Sequence, residues 1–225
     1  MTLRVINTDQ ANTSIGGEII NSIGSPNVLV GTGDEVIVFE DVTLAADRSL
    51  VDVTALDDFD LIMNGDGFAG SNAFRIDCSS SLGEWDFEVS VSIGNDTLIG
   101  GEGNDTLNGG AGDDEITAGL GKDVMRGNRG EDVFIITEAL DSTTSAVDRI
   151  RDFQSGQDLI DLSAIATFDF IGSAAFSGTG AEVRFQTTGS GLRFDVDVDG
   201  DGDGNADMRV KMNNISVLTT EDFIL

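Results

Sequence analysis

The chain contains no histidine and no tyrosine, one cysteine and one proline. Each absence narrows the chemistry. Without histidine there is no Ser-His-Asp or Cys-His nucleophile, no His-ligated zinc and no H-E-x-x-H metalloprotease site. Without histidine or tyrosine, a general acid has to be a carboxyl group of raised pKa. Cys78 cannot form an internal disulfide, and with no histidine to activate it, it reads as a small apolar filler near a strand. Cations are scarce: 12 Lys and Arg stand against 41 Asp and Glu, a formal charge of −29. That charge opposes nucleic acid and anionic lipid, both polyanions. No run approaches the roughly 18 apolar residues of a spanning helix, so no transmembrane segment is expected. The N-terminus lacks the basic and apolar regions of a signal peptide.

What is present is aspartate, glycine and enough apolar residues for a core. Gly numbers 29 of 225 residues, and the apolar share of 40% is too high for a disordered acidic tail. Between Gly94 and Phe134 the chain repeats every nine residues: GNDTLI, GGEGNDTLN, GGAGDDEIT, AGLGKDVMR, GNRGEDVFI. Asp96, Asp105, Asp114, Asp123 and Asp132 keep this spacing without a slip. Two residues before each stands Gly94, Gly103, Gly112, Gly121 or Gly130, and two after it Leu98, Leu107, Ile116, Met125 or Phe134. Three registers in phase over five units mark a solenoid.

One unit is a glycine-rich turn and a short strand with one inward apolar residue. Nine residues cannot bury that residue alone, so units stack, with strands parallel and turns alternating between two sides. Turn carbonyls and Asp carboxylates then form columns. Uncompensated columns would repel, and a hard cation taking six to eight oxygen ligands resolves the repulsion; calcium fits better than magnesium.

Residues 1–90 lack the nonapeptide but carry short β-type runs at Val28–Val30, Val36–Phe39, Phe59–Met63, Ala73–Ile76 and Trp85–Val91. They read as an irregular β-region, either extra solenoid coils capping the first end of the roll or a separate small β-domain. Residues 91–136 form the nonapeptide roll. Residues 137–225, with the runs DRIRDF, DLIDLSAI, FDFIG, VRFQ, LRFDVDV and MRVKM, are the candidate cap that a solenoid end needs.

The nonapeptides are similar to the G-G-x-G-x-D-x-U-x consensus of RTX proteins. DRIRDFQSGQDLIDLSAI, FIGSAAFSGTGAEVRF, DVDGDGDGNADMRVKM and the terminal DFIL resemble the C-terminal domain of the serralysin-type (M10) metalloproteases, over roughly residues 94–225. The zinc motif and the Tyr-bearing turn of the protease domain are missing, so proteolysis is not carried over. The resemblance implies an all-β, right-handed parallel β-roll with calcium between successive turns on the same side. It pairs Asp96 with Asp114, Asp105 with Asp123 and Asp114 with Asp132, about three ions, with carbonyls of turns such as Gly103, Gly112 and Gly121 completing each shell. It also implies type I secretion from a Gram-negative cell, an ABC exporter reading the uncleaved C-terminal segment, and an extracellular location. Ala118, Asn128 and Arg129 depart from the consensus.

A second acidic stretch places Asp195, Asp197, Asp199, Asp201 and Asp203 at alternate positions, followed by Asp207. In extended chain these carboxylates share a face and crowd. A D-x-D-x-D-G loop through Asp199, Asp201, Asp203 and Asp207 can wrap one more calcium, with Gly204 at the turn; without a Glu at the twelfth position it is not a full EF-hand. A solvated acidic hairpin is the other reading. The chain is thus expected to be a secreted, non-catalytic calcium-binding RTX protein that folds outside the cell. Two alternatives stand beside it. One is a polysaccharide-acting enzyme using carboxylates near Asp57, Asp58, Asp60 and Asp66. The other is an adhesin or matrix protein, although an ice-binding threonine row fails where Thr97 and Thr106 give way to Glu115, Val124 and Val133.

Overall fold

The computed structural model describes residues 86–91, 93–188, 193–213, 215 and 217–225, together with the backbone of eight short strands before them. Those eight are β1 (Thr2–Val5), β2 (Thr13–Ile15), β3 (Glu18–Ile20), β4 (Asn27–Gly31), β5 (Glu35–Glu40), β6 (Leu50–Ala55), β7 (Phe59–Asn64) and β8 (Arg75–Asp77). The repeat region gives β9 (Phe87–Ser90), β10 (Thr97–Glu102), β11 (Thr106–Ala111), β12 (Glu115–Leu120), β13 (Val124–Arg129) and β14 (Val133–Ile135). Then come β15 (Asp148–Ile150), β16 (Leu159–Asp161), β17 (Asp169–Phe170), β18 (Glu182–Thr188), β19 (Arg193–Asp199), β20 (Met208–Asn213) and β21 (Phe223–Ile224).

From β4 to β16 successive strands alternate between two sheets. One runs β1-β5-β7-β9-β11-β13-β15-β20-β19-β18-β17, the other β21-β16-β14-β12-β10-β8-β6-β4, with β2-β3 a separate pair. Within the nonapeptides, partners lie two units apart, as in Thr97↔Glu115 and Thr106↔Val124. This is the parallel β-roll that the nine-residue phase predicts. The same sheets run on through the N-terminal region, where the step lengthens: Asn27 pairs with Val51 and Glu35 with Phe59. Position 78, where Cys78 stands, lies outside the described residues.

The inward residues Leu98, Leu107, Ile116, Met125 and Phe134 are fully buried and merge into one core with Phe87, Val89, Ile150 and Ile160. Each such side chain contributes roughly 1.5–3 kcal/mol of burial. The parallel winding ends in a change of direction. After β15 pairs with β20, the strands β20, β19 and β18 run antiparallel. The other sheet stops at the two-residue strand β21 on β16, a short edge that offers little to a further strand.

Candidate metal centre

The repeat aspartates stand where each turn enters a strand. All five are at most 1% exposed. Their Oδ1 atoms bind backward across the roll: Asp105 accepts the N–H of Phe87 at 2.7 Å, Asp114 that of Asp96 at 2.8 Å, Asp123 that of Asp105 at 2.7 Å and Asp132 that of Asp114 at 3.0 Å. The three same-side pairs expected from the sequence are therefore direct neighbours. A second set of bonds runs forward. Asp86, Asn95 and Asp113 accept the N–H groups of Asn104, Asp113 and Glu131. Three same-side pairs of turns, at 86–87 with 104–105, 95–96 with 113–114 and 113–114 with 131–132, are tied by two side chains reaching in opposite directions.

The other carboxylate oxygen is the unusual one. Oδ2 of Asp105, Asp114, Asp123 and Asp132 is buried without a hydrogen-bond partner. An ionised oxygen left so is costly, and the pKa values show it. Burial pushes Asp105 and Asp114 up to about 7, and Asp132 to about 6. Asp123 is raised to about 9, by burial first and then by the Asp148 carboxylate. Beside these oxygens lie glycines: a Cβ on Gly100 or Gly109 would fall 2.3 or 2.2 Å from Oδ2 of Asp105 or Asp114. The carbonyl oxygen of Ala118 lies 2.4 Å from the same Cβ position on Gly100, and other turn carbonyls face the glycines of the next turn on their side. The oxygens of Gly94, Gly103 and Gly112 lie 1.8, 1.5 and 1.8 Å from where a Cβ on Gly112, Gly121 and Gly130 would stand. Carboxylate oxygens without donors, with carbonyl oxygens of the turns nearby, are the donor set that calcium takes, so these residues fit the ion.

Two residues outside the nonapeptides continue the columns. Asp148 accepts the N–H of Asp123 at 2.9 Å and also has an unpartnered, buried Oδ2, with its pKa raised to about 7 mainly by burial. Asp158 accepts the N–H of Asp132 at 3.2 Å, but its Oδ2 takes the N–H of Gln154 at 2.7 Å. The column through Asp105 and Asp123 thus extends to Asp148 with an open oxygen, while the column through Asp114 and Asp132 ends on a satisfied one. Sequence reasoning missed both because the intervals from Asp123 and Asp132 break the nine-residue phase. The remaining signal was local: Asp148 and Asp158 stand two residues before Ile150 and Ile160, as in every repeat.

In the acidic loop, Asp199, Asp201 and Asp207 bring ligand oxygens within 4.8 Å of one another. Asp203 stays outside this group and accepts the N–H of Asn205. Here the carboxylates have donors. Asp199 accepts the N–H groups of Gly202 and Gly204, and Asp207 that of Gly200. Asp195 and Asp197, which the sequence places in the same crowded ladder, are resolved by cations on neighbouring strands. Arg209 Nε lies 2.5 Å from Asp197 and 3.6 Å from Asp195, and Arg184 lies 3.2 Å from Asp197. Asp57, Asp58 and Asp66 lie outside the described residues, and Asp60 is described only as backbone of β7.

The family model described as Peptidase M10 serralysin C terminal matches residues 8–225. The likeness therefore reaches well before residue 94, through most of the region that the sequence motifs left out. No curated protein matches the chain. Among solved structures, the AlgE6R3 subunit of the Azotobacter vinelandii mannuronan C5-epimerase is similar, with 25% identity and a TM-score of 0.50. The match covers 70% of this chain and 81% of that one.

Proposed function

Since the chain belongs to the peptidase M10 serralysin C-terminal family, we propose that it is a secreted calcium-binding RTX module, non-catalytic itself, whose roll folds on extracellular calcium. The observation that carries this reading is the row of buried, unpartnered Oδ2 atoms on Asp105, Asp114, Asp123, Asp132 and Asp148. Asp96, Asp114 and Asp132 hold ions on one side, and Asp105, Asp123 and Asp148 on the other. The carbonyls of Gly103, Gly112 and Gly121 contribute to the shells. Asp148 thus adds one inter-turn site to the three expected from the repeats. Asp199, Asp201 and Asp207 hold a further ion, with Asp203 outside the shell.

A bound calcium supplies two positive charges and accepts six to eight oxygens. The carboxylates do the rest. Without a cation they repel along each column and lose hydration on folding. A cation bridges them in the folded roll and scarcely binds the open chain, which stabilises the roll by about 2.7 kcal/mol per site at a hundredfold excess over Kd. Extracellular modules have Kd values of roughly 10⁻⁴–10⁻³ M, so the roll is destabilised where calcium is scarce and firm outside. An exporter reading the C-terminal segment meets it before folding; in the roll, Asp222 and Phe223 are buried.

Titration calorimetry with calcium, together with circular dichroism and melting in calcium and in chelator, tests the proposal. About four ions in the roll and one in the loop are expected, with chelation lowering both β-content and melting temperature. Identical spectra and melting in both conditions, or fewer than two ions per chain, would overturn it.

A further inference from the structure

Cations are few in this chain, 12 in all, yet half of them crowd one corner. Arg149, Arg151, Arg184, Arg193, Arg209 and Lys211 stand on or directly beside four neighbouring strands, β15, β20, β19 and β18. Arg184 and Arg209 are engaged by Asp197. The other four line an open cleft of about 450 Å³. The sheet register brings them together: Lys211 lies opposite Arg149 on one side and Asp195 on the other, and Arg193 lies opposite Asn213. Directly opposed side chains are roughly 5 Å apart, and those two residues apart along a strand roughly 7 Å.

Like charges facing each other across strands are destabilising. With 41 acidic residues in the chain, an acid partner for each would be easy to supply. Among the described residues, none of the four has a carboxylate within ion-pairing distance. Lys211 faces the Asp195 carboxylate across the strand pair, but Arg149, Arg151 and Arg193 find no such neighbour among the described residues, and an anionic ligand supplies one.

The lining identifies the class. It contains no aromatic side chain, so bases have no stacking platform. A duplex, with about one charge per 1.7 Å, meets the repulsion of the whole acidic molecule. Thr188, Asp195 and Asn213 add hydroxyl, carboxylate and amide groups suited to sugar hydroxyls. We propose that this cleft binds an acidic oligosaccharide, its carboxylate or sulfate groups pairing with Arg149, Arg151, Arg193 and Lys211 and its hydroxyls with Thr188, Asp195 and Asn213.

Titration of the calcium-loaded full chain with oligogalacturonate, a sulfated dextran oligosaccharide, neutral dextran and single-stranded DNA tests this. At least one acidic probe is expected to bind, more weakly as salt rises, while neutral dextran does not. Binding of the carboxylated or the sulfated probe alone assigns the acid group. The double variant Arg151→Gln, Lys211→Gln is expected to weaken binding about tenfold, whereas Lys122→Gln, Arg129→Gln, which removes the same charge elsewhere, leaves it unchanged. Circular dichroism checks that both are folded; should the double variant fail, Arg193→Gln at an exposed position supplies the comparison. Four outcomes overturn the proposal: no binding of either acidic probe, equal binding of neutral dextran, tighter binding of single-stranded DNA, or affinity unchanged by loss of the cleft cations. The last would place the contact at calcium in the turns.

Discussion

A methyl group on Gly109 would sit 2.2 Å from Oδ2 of Asp114, and one on Gly112 would sit 1.8 Å from the carbonyl oxygen of Gly94. The glycines of one turn thus answer different needs: the first leaves room beside a carboxylate, the last lets two turns approach. Gly112 also has φ +134°, a conformation that L side chains rarely adopt. The position next to the first glycine is less strict. Gly101, Gly110 and Gly119 have positive φ, and Asn128 takes the equivalent place at +72°, as asparagine tolerates. At this scale Asp114→Asn is informative because it keeps an acceptor for the Asp96 N–H and removes the charge. In chelator the variant is expected to be more stable than the parent by about 1–3 kcal/mol. In calcium it is expected to be less stable and to bind fewer ions. Urea unfolding in both conditions measures the pair of signs, and a loss of stability in chelator would refute the account of Oδ2.

At the scale of the turn columns, the carboxylates act together. Asp105, Asp114 and Asp148 are raised to about 7, Asp132 to about 6 and Asp123 to about 9, burial being the largest cause for each. Each is raised above its unfolded value near 4. The metal-free roll therefore holds more protons than the unfolded chain across that interval, and its stability falls as pH rises from about 4 through about 9. Calcium displaces those protons from the same oxygens, so the fall with pH flattens in its presence. Melting temperatures are expected to be higher near pH 5 than near pH 8 in chelator, and nearly equal at the two in saturating calcium. Parallel slopes in the two conditions would contradict this. The acidic loop behaves differently: Asp199 and Asp207 already accept backbone N–H groups, so its shape leans less on an ion than the roll's does.

At the scale of the whole molecule, one of the two sheets ends on a few terminal residues. Asp222 is fully buried and accepts bonds from the Gly156 N–H at 2.7 Å, the Ser155 hydroxyl at 3.0 Å and the Thr219 N–H at 2.6 Å. The Phe223 ring packs 5.2 Å from that of Phe170. Asp222→Ala orphans these donors and is expected to cost about 1–3 kcal/mol. That corresponds to a melting temperature lower by about 2–4 °C per kcal/mol in calcium. Differential scanning calorimetry reads the shift, and an unchanged transition would show that the terminal strand does not close the roll. The net charge belongs to this scale as well. The formal −29 describes the chain without ions, and each divalent cation held in a turn removes two units of it.

The sequence by itself determined the roll from Asp96 to Asp132. A nine-residue phase fixes at once which residue turns, which points inward and which turns stack, because every unit solves the same burial problem with its neighbours. Alternation of apolar residues also marked the runs Val28–Val30, Val36–Phe39, Phe59–Met63 and Ala73–Ile76, where β4, β5, β7 and β8 lie, while β6 (Leu50–Ala55) fell outside the runs read from the sequence. Only the tertiary structure decided what depends on contacts between distant segments. Asp148 and Asp158 join the columns across intervals that no period announces, since the chain makes a loop before returning to the stack. Asp197 is neutralised by Arg184 and Arg209 on flanking strands, a pairing set by antiparallel register rather than spacing. Arg149, Arg151, Arg193 and Lys211 lie far apart in a chain dominated by acid, and become one cationic cleft because β15, β20 and β19 lie side by side.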